Sequence, residues 1–119
     1  MNRLQEERFI DEQRFACSFV RDKYRFNQWG RIKISQQLKL KHIPEALIMK
    51  AMEEIDESEY LSLLTDQLAR KIRSVKARND YERNGKLIRF AVGRGYEMGE
   101  VIECLKKITN DDVDMEGSL

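Results

Sequence analysis

The tripeptide Ile10-Asp11-Glu12 returns as Ile55-Asp56-Glu57, and each copy opens a similar run of residues. Phe15, Ala16 and Phe19 answer to Tyr60, Leu61 and Leu64 at a constant offset of 45. Further along the offset becomes 53. There Ile34, Leu38, Ile43, Ile48, Met49, Met52 and Ile55 correspond to Leu87, Ala91, Tyr96, Val101, Ile102, Leu105 and Ile108, with Lys33 and Lys86 in the same register. Two divergent copies of one helical unit account for this pattern, and the eight added residues are expected to lengthen the first helix of the second copy by about two turns. A chain built this way presents an elongated binding surface rather than an enclosed active site.

Helical periodicity predicts six main helices and no strand. The first starts behind Asp11 as N-cap, buries Phe15, Ala16, Phe19, Val20 and Tyr24, and ends near Arg25. Asn27 is placed to cap the second, which carries Ile32, Ile34 and Leu38 and stops around His42. Pro44, the single proline, suits the first turn of the third, which carries Leu47, Ile48, Ala51, Met52 and Ile55. In the second copy, Tyr60, Leu61, Leu64, Leu68, Ile72 and Val75 form a stripe at helical spacing. Asp80 is placed to cap helix five, with Leu87, Ile88 and Ala91, and Gly95 to end it in a left-handed conformation. Helix six carries Val101, Ile102, Leu105 and Ile108 and is expected to end near Thr109. The expected fold is all-α: tandem three-helix repeats forming an elongated, right- or left-curved helical array. Its expected divisions are residues 1–10 (the last helix of a preceding unit, with Leu4, Phe9 and Ile10), 11–55, 56–109, and a disordered acidic tail over 110–119.

The net charge of +1 conceals segregated signs. Arg14 to Lys41 holds eight basic residues and one acid, whereas Pro44 to Ala69 holds seven acids and one lysine. Arg70 to Arg94 then has nine basic residues against two acids, and Gly95 to Leu119 seven acids against two lysines. Either block alone would be an ordinary solvated helix face; its recurrence at repeat spacing points to a basic surface with an acidic or polyanionic partner. The charged N-terminal segment is no secretory signal, and no run is apolar enough to span a bilayer. Cys17 and Cys104, far apart, are expected as free thiols of a cytoplasmic protein.

Catalytic chemistry finds little support. Gly93-Arg94-Gly95 lacks the later glycine and the preceding strand of a dinucleotide loop, and reads as a helix stop. His42, the one histidine, has no ligand set around it, so no metal and no cofactor is expected. Both cysteines read as small, semi-buried apolar residues, and the carboxylates lie among their own kind without a pocket to separate their pKa values. Trp29, with Gly30, Arg31 and Lys33 behind it, reads as a hydrophobic plug at a helix corner, or as an aromatic platform beside basic residues.

The run Asp11-Glu12-Gln13-Arg14-Phe15-Ala16-Cys17-Ser18-Phe19-Val20-Arg21, continuing to Trp29-Gly30-Arg31-Ile32-Lys33-Ile34 and Leu38, resembles the second repeat of the bacterial regulatory protein RecX family. Lys86-Leu87-Ile88-Arg89-Phe90, Gly93-Arg94-Gly95-Tyr96, then Ile102 and Leu105 resemble its closing repeat. Two departures are His42, where the family often has glycine, and Gly93, where it favours arginine. The resemblance implies three tandem three-helix repeats, of which this sequence matches the second and third. It also implies a non-enzymatic regulator that binds the RecA recombinase filament and restrains its ATPase and strand exchange in recombinational DNA repair; a monomer is expected. A direct DNA-binding module is the alternative, for which helix two offers Arg31, Gln36 and Gln37. A helical scaffold or adaptor for another partner is a third reading. For either of the first two, the expected contact residues are Arg25, Arg31, Lys33, Lys41, Arg70, Arg73, Arg78, Arg83, Lys86, Arg89 and Arg94.

Overall fold

A computed structural model describes residues 2–117, with side chains from 10 to 109. Six helices follow one another: α1 (Asn2–Arg25), α2 (Arg31–Leu40), α3 (Glu45–Met52), α4 (Glu57–Ile72), α5 (Asp80–Gly93) and α6 (Met98–Gly117). The all-α repeat architecture expected from periodicity is present, and no strand occurs among the described residues. Helices α1, α2 and α3 pack as one unit, and α4, α5 and α6 as the next. The array measures 70 × 25 × 20 Å. Its radius of gyration of 18.1 Å exceeds the roughly 13–14 Å of a compact chain this long.

Each unit encloses its own share of the core. Ala16, Val20, Tyr24, Ile34, Leu38, Leu47, Ile48 and Ala51 are buried in the first, and Tyr60, Leu64, Leu68, Leu87, Ala91, Val101 and Leu105 in the second. The 53-residue register pairs buried residues with buried residues: Ile34 with Leu87, Leu38 with Ala91, Ile43 with Tyr96, Ile48 with Val101, and Ala51 with Cys104. The 45-residue register does not. It sets Phe15, 44% exposed, against Tyr60, fully buried. The buried rows Ala16, Val20, Tyr24 and Tyr60, Leu64, Leu68 match instead at an offset of 44, because one residue turns a helix by about 100°. Ile32 is likewise 45% exposed rather than part of the core.

The remaining local expectations divide. Helix α1 runs unbroken through Asp11, since nothing from Asn2 to Arg25 interrupts helical hydrogen bonding; only Asp56, its counterpart, is an N-cap, accepting from the Ser58 N–H at 3.1 Å. The eight extra residues do not make α4 two turns longer. It stops at Ile72, where the Ser74 hydroxyl donates back to the Lys71 carbonyl, and most of the excess lies in the longer connector and the earlier start of α5. Asn79, one residue before Asp80, caps α5, accepting from the Glu82 N–H at 2.8 Å. Asn27 caps nothing: Gly30 precedes α2. Pro44 sits one residue ahead of α3, and its carbonyl accepts from Leu47 and Ile48. Helix α6 continues past Thr109 to Gly117. Met1, Ser118, Leu119 and the side chains of Leu4, Phe9 and 110–117 lie outside the described residues.

Both units end their second helix in the same way. Gly95, at φ +96°, closes α5: its N–H donates to the Val92 carbonyl at 2.9 Å and that of Tyr96 to Ala91 at 3.2 Å. His42, at φ +63°, closes α2 with the equivalent pair, His42 to Lys39 at 2.9 Å and Ile43 to Leu38 at 3.1 Å. These are Schellman turns, in which a left-handed residue satisfies the last helical carbonyls. His42 thus occupies a conformation that favours glycine, at the position where the sequence departs from that residue.

Candidate binding face

The two units meet at the start of α2. With no side chain on Gly30, its backbone lies directly on the last turn of α5, and a Cβ there would come within 2.2 Å of Gly95 and Tyr96 backbone atoms. The Gly30 N–H donates to the Arg94 carbonyl at 2.8 Å, that of Ile32 to the Gly95 carbonyl at 3.0 Å, and that of Arg31 to the Tyr60 hydroxyl at 2.9 Å. The free donors of one helix start are therefore satisfied largely by the free acceptors of another helix end.

Arg31 locks this joint. Its guanidinium stacks 4.1 Å from the Tyr60 ring centroid, donates to Glu97 Oε2 at 2.8 Å and also donates to Glu57. The Tyr60 hydroxyl donates to Glu97 Oε1 at 2.5 Å. Burial opposes ionisation of Glu97, but hydrogen bonds from Tyr60 and Arg31 outweigh it and hold the carboxyl below its ordinary range. Burial, reinforced by the bond to Glu97, pushes the Tyr60 hydroxyl far up. Tyr96 lies 5.2 Å from Tyr60, ring to ring, and accepts from Gln67 Nε2 at 2.7 Å; Gln67 Oε1 in turn accepts from Arg94 at 3.2 Å. Arg31 thus ties the start of α2 to α4 and to the residue before α6.

Cations and aromatic rings interleave on either side of the joint. On α1, Phe15, Phe19 and Lys23 follow at four-residue spacing and so share a face. Phe19 lies 5.7 Å from Phe15 and 6.2 Å from Trp29 between ring centroids. Lys23 and Lys33 stand 4.8 and 4.5 Å from the half-buried Trp29 ring, and Lys41 stands 5.8 Å from Phe19. Trp29 therefore combines both readings of it, one part against the helix corner and one under lysines. In the second unit, Lys71 and Arg94 lie 5.0 and 4.8 Å from Phe90. Six such cation–ring pairs fall on these two clusters, where about one per 70–80 residues is usual. Lys23, Lys33, Lys41, Arg70, Lys71 and Arg94 make no ion pair among the described residues.

The candidates named from sequence are not brought together as one patch. Lys33 and Lys41 join the first cluster, and Arg70 and Arg94 the second. Arg25 pairs with Glu59 at 2.8 Å. Arg78 and Lys86 both pair with Glu82, and Arg83 with Asp80. Arg73 is exposed beyond α4, and exposed Arg89 lines a separate shallow cleft with Tyr81 and Asn84. Charge counting missed Lys23 and Lys71, because only the rings beside them single them out. Burial, with the Glu54 carboxylate adding to it, pushes the Cys17 thiol up, away from nucleophilic behaviour. Cys104 is buried, and both are free thiols. No group of three metal-ligating side chains occurs, and no helix is long and apolar enough to cross a membrane, among the described residues.

A linear pair of three-helix units, each with cations set against aromatic rings, defines an all-α helical-repeat protein. Residues 11–52 match the family description "RecX, second three-helix domain", and residues 57–105 match "RecX, third three-helix domain". The chain belongs to the RecX family. It is 29% identical over 110 residues to a protein of Chlorobaculum tepidum named "Regulatory protein RecX", covering 92% of this chain and 66% of the relative. The protein of the same name from Oceanobacillus iheyensis is 24% identical over 117 residues, covering 98% and 43%. That of Vibrio campbellii is 29% identical over 100 residues, covering 84% and 63%. The chain thus spans less than two thirds of the length of these relatives. No solved structure matches it.

Proposed function

We propose that this chain is a non-enzymatic regulator that binds the RecA recombinase filament and restrains its ATP hydrolysis and strand exchange. The match of both three-helix units to a family of regulatory proteins carries this reading. The shape is consistent with it, since a rod 70 Å long can lie along a filament whose own surface repeats. Cations left without acidic partners at intervals along the rod would meet an acidic or phosphate-bearing surface, adding rate and specificity of docking.

Co-sedimentation with recombinase filaments, run beside protein-free single-stranded DNA over a salt series, tests the reading. The chain should pellet with filaments and lower their ATPase rate. Failure to pellet with filaments under conditions where it binds the DNA alone would replace this reading with a direct DNA-binding module.

A further inference from the structure

Between the end of α4 and the last turn of α5 lies a pocket of about 310 Å³. Arg70, Lys71 and Ser74 line it from α4 and the turn behind it, and Phe90 from α5, together with Arg94, the residue that ends that helix. Gln28 of the first unit closes one side, so the pocket spans the joint between units. Three cations share this space without a carboxylate in its lining. Clustered like charges repel, and elsewhere on the molecule Arg21, Arg25 and Arg31 have acidic partners while these three have none among the described residues.

The donors are held in place. Arg94 is fixed between the Phe90 face and Gln67, and Gln67, only 5% exposed, is itself anchored by the Tyr96 hydroxyl and the Leu63 carbonyl. Lys71 lies against the same Phe90 ring, and the Arg70 Nε donates to the Asp66 carbonyl at 3.4 Å. Gln28 sits in the left-handed region at φ +58°, a conformation costly to a residue with a Cβ. Such strain concentrates at functional sites.

We propose that this pocket seats a phosphodiester group of a single nucleic-acid strand, with the Trp29–Phe19 cluster lying along the neighbouring course of the strand. A phosphate is a tetrahedral anion that takes donors from several directions. Two guanidinium groups and an ammonium, held on two helix ends, supply them, whereas one carboxylate would need only a planar fork. The adjoining alternation of rings and lysines is the surface that tracks a strand without reading its sequence. The inference deepens the filament reading, for which it names the component this pocket contacts.

The test is fluorescence anisotropy of a labelled oligothymidylate with the 119-residue chain from 50 to 200 mM salt, with a poly-glutamate peptide as competitor. Replacing Arg70 and Lys71 with glutamine should make the slope of log affinity against log salt shallower by about 1.4, at roughly 0.7 per lost phosphate contact. Across that fourfold salt range the wild-type protein would then lose about sevenfold more affinity than the variant. The swap R70K/K71R should keep binding, K106Q/K107Q on exposed α6 should leave it unchanged, and circular dichroism should show every variant folded. Equal slopes for wild type and R70Q/K71Q would overturn the proposal, as would the same loss in K106Q/K107Q. Displacement by poly-glutamate at equal charge would assign the pocket to protein carboxylates instead. Pelleting with filaments but no binding to the oligonucleotide would refute the pocket while leaving the filament reading standing.

Discussion

Gly30→Ala perturbs the joint between the units and little else. Gly30 has φ −81° and ψ 168°, extended backbone that alanine adopts freely, so any loss must come from crowding. The added methyl would sit 2.2 Å from the Gly95 carbonyl atoms and the Tyr96 nitrogen, all backbone, and no rotamer change relieves that. Separation of the α2 start from the second unit would break three hydrogen bonds, from the N–H groups of Gly30 and Ile32 to the end of α5 and from that of Arg31 to Tyr60 on α4. At about 1 kcal/mol each, with some replaced by water, the expected loss is about 1–3 kcal/mol. Urea unfolding followed by circular dichroism measures it. Gly85→Ala is the matching control: it lies inside α5 with open space around its Cβ, and should gain about 0.5–1 kcal/mol. A Gly30→Ala protein within about 0.5 kcal/mol of wild type, with an unchanged radius of gyration in solution scattering, would refute the account of how the units are joined.

His42→Gly should stabilise the chain by about 0.5–1 kcal/mol, because relief of left-handed strain exceeds the added entropy of the unfolded chain; a lower melting temperature would contradict this. Leu64→Ala should cost about 2–5 kcal/mol in urea unfolding, since the side chain is fully buried in the core of the second unit. Acid should loosen the joint. The folded Glu97 carboxyl titrates below the ordinary 4.5, so its stabilisation is complete above that value and is lost as pH falls through the folded pKa. Glu97→Gln should remove this acid sensitivity while lowering stability near neutrality; an identical acid profile in wild type and variant would show that other groups cause it.

Periodicity revealed what burial alone determines. Ile34, Leu38, Ile43, Ile48 and Ala51 recur as buried residues 53 positions later because a helix must keep one face on its core. It failed at Phe15, where the repeated Ile-Asp-Glu set the register and a single residue of error turned the helix by more than a quarter of a circle. Caps were one to three residues off, since Asn79 and Asp80 are both acceptable in sequence and only geometry distinguishes them. The site was least legible. Arg31 meets Tyr60 and Glu97 across 29 and 66 residues, and no local pattern relates positions so far apart. Charge segregation pointed to a basic surface but could not show that Arg25, Arg31, Arg78, Arg83 and Lys86 meet acids within the chain.

The joint has a direction. At the start of α2, Gly30 brings no side-chain cap, so the helix's first amides are open and the carbonyls that end α5 complete them. At the start of α5, Asn79 folds back on the Glu82 amide, so that end has a side-chain cap of its own. In the language of polymer chemistry, the first unit carries a reactive end group and the second a blocked one. Replacing the blocked end with the open one, by Asn79→Gly, would therefore be the first step in asking these units to add a third in the same sense.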